Sequence, residues 1–127
     1  MKLGIVGSRC FCDEIIKTSL FIVICNYIEQ LDGPVDTIVS GGAKGVDTIA
    51  REYAMEHDIE LMEHYPKTFT AQELLARNSL IVQDSDVLLA IVCPCSRGTW
   101  DTVRKAKKKN IPVKIVQLPC PNEKKGK

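Results

Sequence analysis

The chain has 127 residues, which is enough for one domain and too short for two ordinary ones. Its composition, 45% hydrophobic and 26% charged, is that of a globular protein and excludes a disordered one. The formal net charge of +1 gives no electrostatic reason to expect wholesale nucleic-acid binding. No apolar run reaches the roughly 18 residues of a membrane span, and the N-terminus lacks the layout of a signal peptide. We therefore expect a cytoplasmic protein with no membrane partner.

Short apolar runs alternate with segments of helical period along the whole chain. Asp13 is placed to cap the first helix, and Thr70 with Glu73 forms the pattern of a capping box before the third. The predicted elements, in chain order, are strand 2–7, helix 13–31, strand 35–39, helix 45–57, strand 59–64, helix 71–82, strand 87–92, helix 99–110 and strand 112–116.

Alternating strands and helices predict an α/β fold with a parallel sheet between two helix layers. The simplest doubly wound arrangement of five strands is a Rossmann-like three-layer sandwich with the order 3-2-1-4-5. Residues 1–118 then form one domain, and 119–127 form a loose tail. Ligands of such sheets bind outside the carboxyl ends of the strands at the point where the order reverses, here between strands one and four.

A glycine-containing bend, Ser40-Gly41-Gly42-Ala43-Lys44-Gly45-Val46-Asp47, follows the second strand and opens into the second helix. Glycines allow the backbone to approach a ligand closely, and the first amides of a helix have no intrahelical partner. This combination is typical of a phosphate site. The spacing differs from the dinucleotide fingerprint and from the P-loop, and a tight turn with no ligand remains the alternative.

Two further turns carry polar residues at the same predicted edge. Gly7-Ser8-Arg9 follows the first strand, and Ser96-Arg97-Gly98-Thr99 follows the fourth strand and opens another helix. Together with Lys44, the side chains of Arg9 and Arg97 would make this edge electropositive. The sequence therefore predicts a pocket for a phosphate or a ribose phosphate.

These motifs, together with Arg77-Asn78, occur in the order seen in the SLOG superfamily, and the chain most resembles the small YspA-type SLOG proteins over residues 2–116. The resemblance implies a Rossmann-like fold that binds nucleotides or nucleotide-derived ligands. It also implies ligand-binding roles for Gly7, Ser8, Arg9, Ser40, Gly41, Gly42, Lys44, Gly45, Asp47, Arg77, Asn78, Gly98 and Thr99.

The resemblance leaves three functional styles open. The LOG-type enzymes cleave the N-glycosidic bond of a nucleoside monophosphate and carry a glutamate where this chain has Thr102. Asp101, one position earlier, would point about 100° away on a helix. The DNA-processing A branch binds single-stranded DNA, for which this chain lacks aromatic residues interleaved with basic ones. A sensor that binds a nucleotide signal, as a monomer or as a homodimer, is our first interpretation, and a small hydrolase is the alternative.

Several single residues have two interpretations. Asp47 has a structural interpretation, in which it compensates the dipole of the second helix. It also has a functional one, in which it accepts a hydrogen bond from a ribose hydroxyl or acts as a general base. Arg77 and Lys44 are either solvated charges or phosphate ligands. The lysines of the fourth helix, and the basic residues 124–127, are typical of a solvated helix face and a loose terminus, with nucleic-acid binding as a further alternative.

The chain has six cysteines, and with no secretion signal a disulfide scaffold is not expected. Two Cys-x-Cys pairs, Cys10 with Cys12 and Cys93 with Cys95, follow strands that are predicted neighbours. These four thiols would meet at the ligand edge, where they either stay reduced, pair by oxidation, or hold zinc or an iron–sulfur cluster.

Overall fold

The computed structural model describes residues 1–121, and its elements follow the predicted alternation of strands and helices. The bounds, in chain order, are β1 Lys2–Gly7, α1 Glu14–Gln30, β2 Thr37–Ser40, α2 Val46–Glu56, β3 Glu60–Glu63, α3 Ala71–Asp84, β4 Val87–Val92, α4 Gly98–Lys108 and β5 Val113–Gln117.

The five strands form one all-parallel sheet with the order β3-β2-β1-β4-β5, which confirms the predicted fold class. Strand β1 lies in the middle, paired with β2 on one side and with β4 on the other. Since all strands run in one direction, the turns after β1, β2 and β4 leave the sheet at one carboxyl edge. The reversal of strand order falls between β1 and β4, where a ligand is expected.

The core has two parts, one on each face of the sheet. On one face, α1 and α2 pack Leu20, Ile24 and Ala50 against side chains such as Ile5 and Leu89. On the other face, α3 and α4 bury a second cluster. Its fully or almost fully buried members are Val6, Val39, Ile81, Val82, Leu88, Ala90, Val92, Val103 and Ala106. Strands β1 and β4 are apolar on both faces because helices cover both.

The differences from the predicted bounds are confined to element ends. Strand β2 begins at Thr37 rather than Val35, because the amide of Asp36 donates to Met1 O outside the regular ladder. Thr70 caps α3 as predicted and accepts from the Glu73 amide at 3.3 Å. The amide of Thr70 itself donates to the hydroxyl of Thr68, so the reciprocal half of the capping box is not made. Asp13 occupies the cap position of α1 without a side-chain hydrogen bond.

Within residues 1–121, no helix has the length and apolar character needed to cross a lipid bilayer. Most of the predicted tail and the basic residues 124–127 lie outside the described residues. Cys120, which the predicted tail included, packs against the core on the α1 and α2 face. Helix α1 leaves Ile15 and Ile22 exposed, and self-association of the chain stays a prediction.

Candidate functional site

A cavity of about 520 Å³ lies at the carboxyl edge, between the turn after β1, helix α3 and the start of α4. Both glycine-containing bends contribute to its wall, through Ala43 and Asp47 from one and Ser96–Thr99 from the other. The full lining is Val6, Gly7, Ser8, Arg9, Cys10, Ala43, Asp47, Ala71, Leu74, Leu75, Arg77, Asn78, Ile81, Cys95, Ser96, Arg97, Gly98, Thr99 and Thr102.

Ser8 holds the three turns together at the floor of this cavity. Its amide donates to Ile91 O at 3.0 Å, and its carbonyl accepts from the Val46 amide at 3.1 Å. Its buried hydroxyl accepts from the Cys93 amide at 3.0 Å and is hydrogen-bonded to the hydroxyl of Ser96. The first residue after β1 therefore fixes the first residue of α2 and the turn after β4.

The bend after β2 needs glycine for a steric reason. Gly45 has a φ of +84°, and a Cβ at this position would lie 2.3 Å from Ser8 O. Because that neighbour is backbone, no side-chain movement relieves the contact, and L residues rarely adopt this φ. The close approach of Gly45 to Ser8 brings the first turn of α2 against the end of β1.

Asp47 and Arg77 form the charged part of the inner wall. The Asp47 carboxylate is buried and accepts from the Ala43 amide at 3.1 Å, and burial raises its pKa to about 6 against the opposing effects of that amide and of Arg77. The half-buried Arg77 donates from Nη1 to Gly41 O at 2.6 Å and from Nε to Asn78 Oδ1 at 3.0 Å. Burial lowers the pKa of Arg77, while the charge of Asp47 opposes that change.

A polar chain runs from Arg77 to the start of α4. Asn78, buried on α3, donates from Nδ2 to Asp101 Oδ2 at 3.2 Å and approaches Gly98 O at 3.4 Å. Asp101 also pairs with Lys105 at 2.9 Å, and Lys105 donates to Leu75 O at 2.7 Å. These hydrogen bonds fix the first turn of α4 against α3, and the carboxylate of Asp101 takes part in two of them.

The first residues of α4, Gly98 and Thr99, line the cavity. The cap residue, Arg97, makes no side-chain capping bond, and its carbonyl accepts from the Trp100 amide at 3.3 Å, so the amides of Gly98 and Thr99 are left to solvent or a ligand. Among residues 1–121, the side chains of Arg9, Lys44 and Arg97 make no hydrogen bond or ion pair, and all three are exposed. Arg9 and Arg97 both line the cavity that these two residues of α4 line.

The structure divides the predicted ligand residues into two groups. The ones that line the cavity are Gly7, Ser8, Arg9, Asp47, Arg77, Asn78, Ser96, Arg97, Gly98 and Thr99. The remaining ones, Ser40, Gly41, Gly42, Lys44 and Gly45, lie outside the lining. Ser40 is completely buried, and its hydroxyl has no hydrogen-bond partner in the part of the chain that the structure describes. For all of these predicted residues, inside and outside the lining, the role as a ligand residue stays a prediction.

An apolar wall was missed from the sequence. Leu74 and Leu75 of α3 and Ile81, about two turns further along the same helix, line the cavity. The sequence predicted only that these residues belong to a helix, and helical periodicity does not distinguish a core from a pocket wall. Thr102, at the position where the LOG-type enzymes carry glutamate, is buried and lines the cavity. Asp47 is the one carboxylate among the described lining residues.

The cysteines group differently from the prediction. Cys10 and Cys93 lie close, with 3.0 Å between their sulfurs, and Cys120 joins them so that all three Sγ atoms lie within 4.8 Å of one another. Cys95 contacts Cys120 at 2.8 Å. Cys12, which we predicted to belong to this set, is exposed, and its thiol donates to Arg9 O at 3.0 Å. It is thus Cys120, from the segment after β5, that takes the place predicted for Cys12.

No protein-family model and no curated protein matches the chain. Among solved structures it is similar to DNA processing protein A from Helicobacter pylori, a structure described as giving insights into that protein's unique single-stranded DNA binding mode. The TM-score is 0.70 with 22% identity, over 99% of this chain and 73% of that one. At this identity the likeness supports a shared Rossmann-like fold. A SLOG-like fold is consistent with it, and membership of that superfamily stays a prediction.

Proposed function

We propose that the chain binds a nucleotide or nucleotide-derived ligand in the cavity at the carboxyl edge, as a binding or sensor module. The observation that carries this proposal is that both glycine-containing bends contribute to one cavity, together with Arg9 and Arg97. The helix amides of α4 and these two cations are complementary to a phosphate.

The polarity of the lining favours one orientation of such a ligand. We place the phosphate at the start of α4, beside Arg97, because the carboxylate of Asp47 offsets the positive charge of Arg77 on the inner wall. Asp47 is then available to accept a hydrogen bond from a ribose hydroxyl. The apolar side chains of Leu74, Leu75 and Ile81 offer a surface for a base. A cavity of about 520 Å³ falls in the range of sites that bind one small molecule.

Calorimetric titration with a panel of nucleoside monophosphates tests this proposal. We expect Arg97→Ala to weaken binding by about 10- to 100-fold, since a hydrogen bond to a charged group contributes roughly 1.5–3 kcal/mol. Arg104→Ala is the matched control, because Arg104 is an exposed arginine on the same helix that does not line the cavity. Equal losses in the two variants, or no binding of any nucleotide, would contradict the proposal.

Chromatography of the same samples separates a binding module from the alternative hydrolase. Asp47, with its raised pKa, is the residue that could activate water in this lining. A sensor returns the nucleotide unchanged after prolonged incubation. Release of free base that is abolished in Asp47→Asn would replace the sensor with an N-glycosidase.

Single-stranded DNA binding is a second candidate, which the similarity to DNA processing protein A favours. The loop between β3 and α3 carries two exposed aromatic side chains, Tyr65 at 58% and Phe69 at 84%. Arg51 and Glu63 hold the Tyr65 hydroxyl, and its ring lies beside Gly42 of the first bend. Exposed rings next to a phosphate-binding edge are the arrangement on which unpaired bases stack.

Fluorescence anisotropy with an oligothymidylate distinguishes the second candidate. Stacking contributes about 1–3 kcal/mol per base, so Phe69→Ala is expected to weaken DNA binding by roughly 5- to 100-fold. Met55→Ala, an exposed apolar residue on α2, is the control. Binding that weakens with salt and depends on Phe69 supports this candidate, and nucleotide binding without oligonucleotide binding rejects it.

A further inference from the structure

Four cysteine thiols converge at the carboxyl edge from three separate segments of the chain. Cys10 follows β1, Cys93 and Cys95 follow β4, and Cys120 follows β5. The sulfurs of Cys10, Cys93 and Cys120 all lie within 4.8 Å of one another, and Cys95 is 2.8 Å from Cys120. Sequence distance does not favour such a meeting, since Cys10 and Cys93 are 83 residues apart.

The backbone around the cluster holds the thiols in place. Cys93 is buried, and its amide donates to the hydroxyls of Ser8 and Ser96 at 3.0 and 3.1 Å. The amide of Leu118 donates to Val92 O at 2.8 Å, which fixes the segment that carries Cys120 beside β4. Hydrogen bonds to the turn after β1 and to the end of β4 therefore position Cys93 and the segment that carries Cys120.

We propose that Cys10, Cys93, Cys95 and Cys120 bind one zinc ion. Thiolates are the ligands of structural zinc sites, and tetrahedral coordination at a Zn–S distance of about 2.3 Å puts sulfurs about 3.8 Å apart. The observed separations, 3.0 Å for Cys10 with Cys93 and at most 4.8 Å within the trio, bracket that value. Cys95 lies outside this trio but 2.8 Å from Cys120, and its exposed thiol would move to supply the fourth ligand.

The local charge suits this ion. Zinc on four thiolates has a net charge of roughly −2, which nearby cations stabilise. Arg9 precedes Cys10 directly, Arg97 is two residues from Cys95, and neither side chain pairs with a carboxylate within residues 1–121. The ion would tie the turns after β1 and β4 to the segment after β5. The proposal stands on the thiols alone and does not depend on nucleotide binding.

Titration of the reduced, metal-free full-length chain with Co²⁺ alone tests the proposal. We expect one equivalent to bind with an intense thiolate-to-cobalt absorption and the visible bands of a tetrahedral site, and one equivalent of Zn²⁺ to abolish both. Cys120→Ser is expected to weaken Co²⁺ binding by at least about tenfold, because even changes around the direct ligands have effects of this size. Cys95→Ser should also weaken it, and far-UV circular dichroism verifies that each variant is folded.

Cys12→Ser and Cys25→Ser are the matched controls. Cys12 has the spacing of a Cys-x-Cys partner but lies outside the cluster, and Cys25 lies on α1. The proposal predicts unchanged Co²⁺ affinity in both. It would be overturned by substoichiometric Co²⁺, by a loss in Cys12→Ser equal to that in Cys120→Ser, or by a purified protein that holds iron and acid-labile sulfide. Cys10–Cys93 and Cys95–Cys120 disulfides in the freshly purified chain, with no metal uptake after reduction, would overturn it as well.

Discussion

Gly45 illustrates how strongly a single residue controls the candidate site. We expect Gly45→Ala to lower the free energy of unfolding by at least roughly 2 kcal/mol, because it combines an unfavourable φ with a clash against Ser8 O. Gly98→Ala is the control, since a Cβ at Gly98 would meet nothing within 4 Å. Urea unfolding followed by circular dichroism measures both. Similar losses in the two variants would show that the bend adapts to a side chain.

Asp47 gives stability a pH dependence of known sign. Burial raises its pKa from 3.8 to about 6, so between these values the native chain holds a proton that the unfolded chain releases. The free energy of unfolding therefore decreases as pH rises through this window. In Asp47→Asn this decrease is absent, and the stability of the variant relative to the wild type should rise by at most about 3 kcal/mol between pH 4 and 7.

Urea unfolding at a series of pH values measures this effect, and Asp36 supplies a control of opposite sign. The hydrogen bond from the Thr37 hydroxyl, together with the N-terminal ammonium, lowers the pKa of Asp36. The stabilising contribution of Asp36 is therefore lost as pH falls. The free energy of unfolding of Asp36→Asn should rise relative to that of the wild type only below about pH 4. A pH-independent difference for Asp47→Asn would mean that Asp47 is ionised throughout.

The candidate site was predictable at the residue scale wherever a strand ended. Arg9, Asp47 and Thr99 follow strand ends in the sequence, and parallel strands bring their carboxyl ends to one edge. Burial within a turn was not predictable, which is why Ser40 was expected at a ligand and lies fully inside the protein. Cys120 joins the thiol cluster instead of Cys12 because of where the chain turns after β5, and the spacing of cysteines in the sequence does not predict that turn.

Asn78 and Lys105 make the polar contacts between helices α3 and α4, and Asn78 is the buried one of the two. Asn78→Ala removes the partner of Arg77 Nε and one of the two partners of Asp101 Oδ2, in a buried position. Since unpaired buried polar groups cost about 1–3 kcal/mol, we expect a loss of that size in the free energy of unfolding. Ser79→Ala, on the exposed side of α3, should change it by less than about 0.5 kcal/mol. Equal effects in urea titrations would remove Asn78 from this role.

Element types and order were predictable because apolar periodicity is strong along this chain. Strand β4 has the same bounds in the prediction and in the structure, since all six of its residues are apolar, Asp86 precedes them and Cys93-Pro94 follows them. The first and last residues of helices and strands were less predictable where a hydrogen bond determines the end of the element. Helix α3 continues to Asp84, two residues past its predicted end, because the amide of Ser85 still finds Val82 O.

At the scale of the whole molecule, a single sheet joins two core clusters. Ile38 and Val39 are neighbours on β2, both completely buried, and they face opposite clusters. We expect Ile38→Ala to lower the free energy of unfolding by about 2–5 kcal/mol. Trp100, the only tryptophan of the chain, packs against the cluster on the other face, so its fluorescence reports there.

If the molecule unfolds as one unit, the urea midpoints measured by Trp100 fluorescence and by far-UV circular dichroism will shift by the same amount in Ile38→Ala. Met55→Ala, at an exposed position of α2, should leave both curves unchanged. A fluorescence curve that stays at the wild-type midpoint while the dichroism curve moves would indicate that the two faces unfold separately.

The parallel direction of the strands has a practical consequence for labelling. Met1 precedes β1 and contacts Pro34 and Asp36 at the amino edge, whereas the segment after β5 returns to the rim beside Cys95. An affinity tag or fluorophore joined to the first residue would thus stand across the sheet from the proposed pocket. The same group fused behind Cys120 would start at the carboxyl edge, beside Cys95 of the cavity lining.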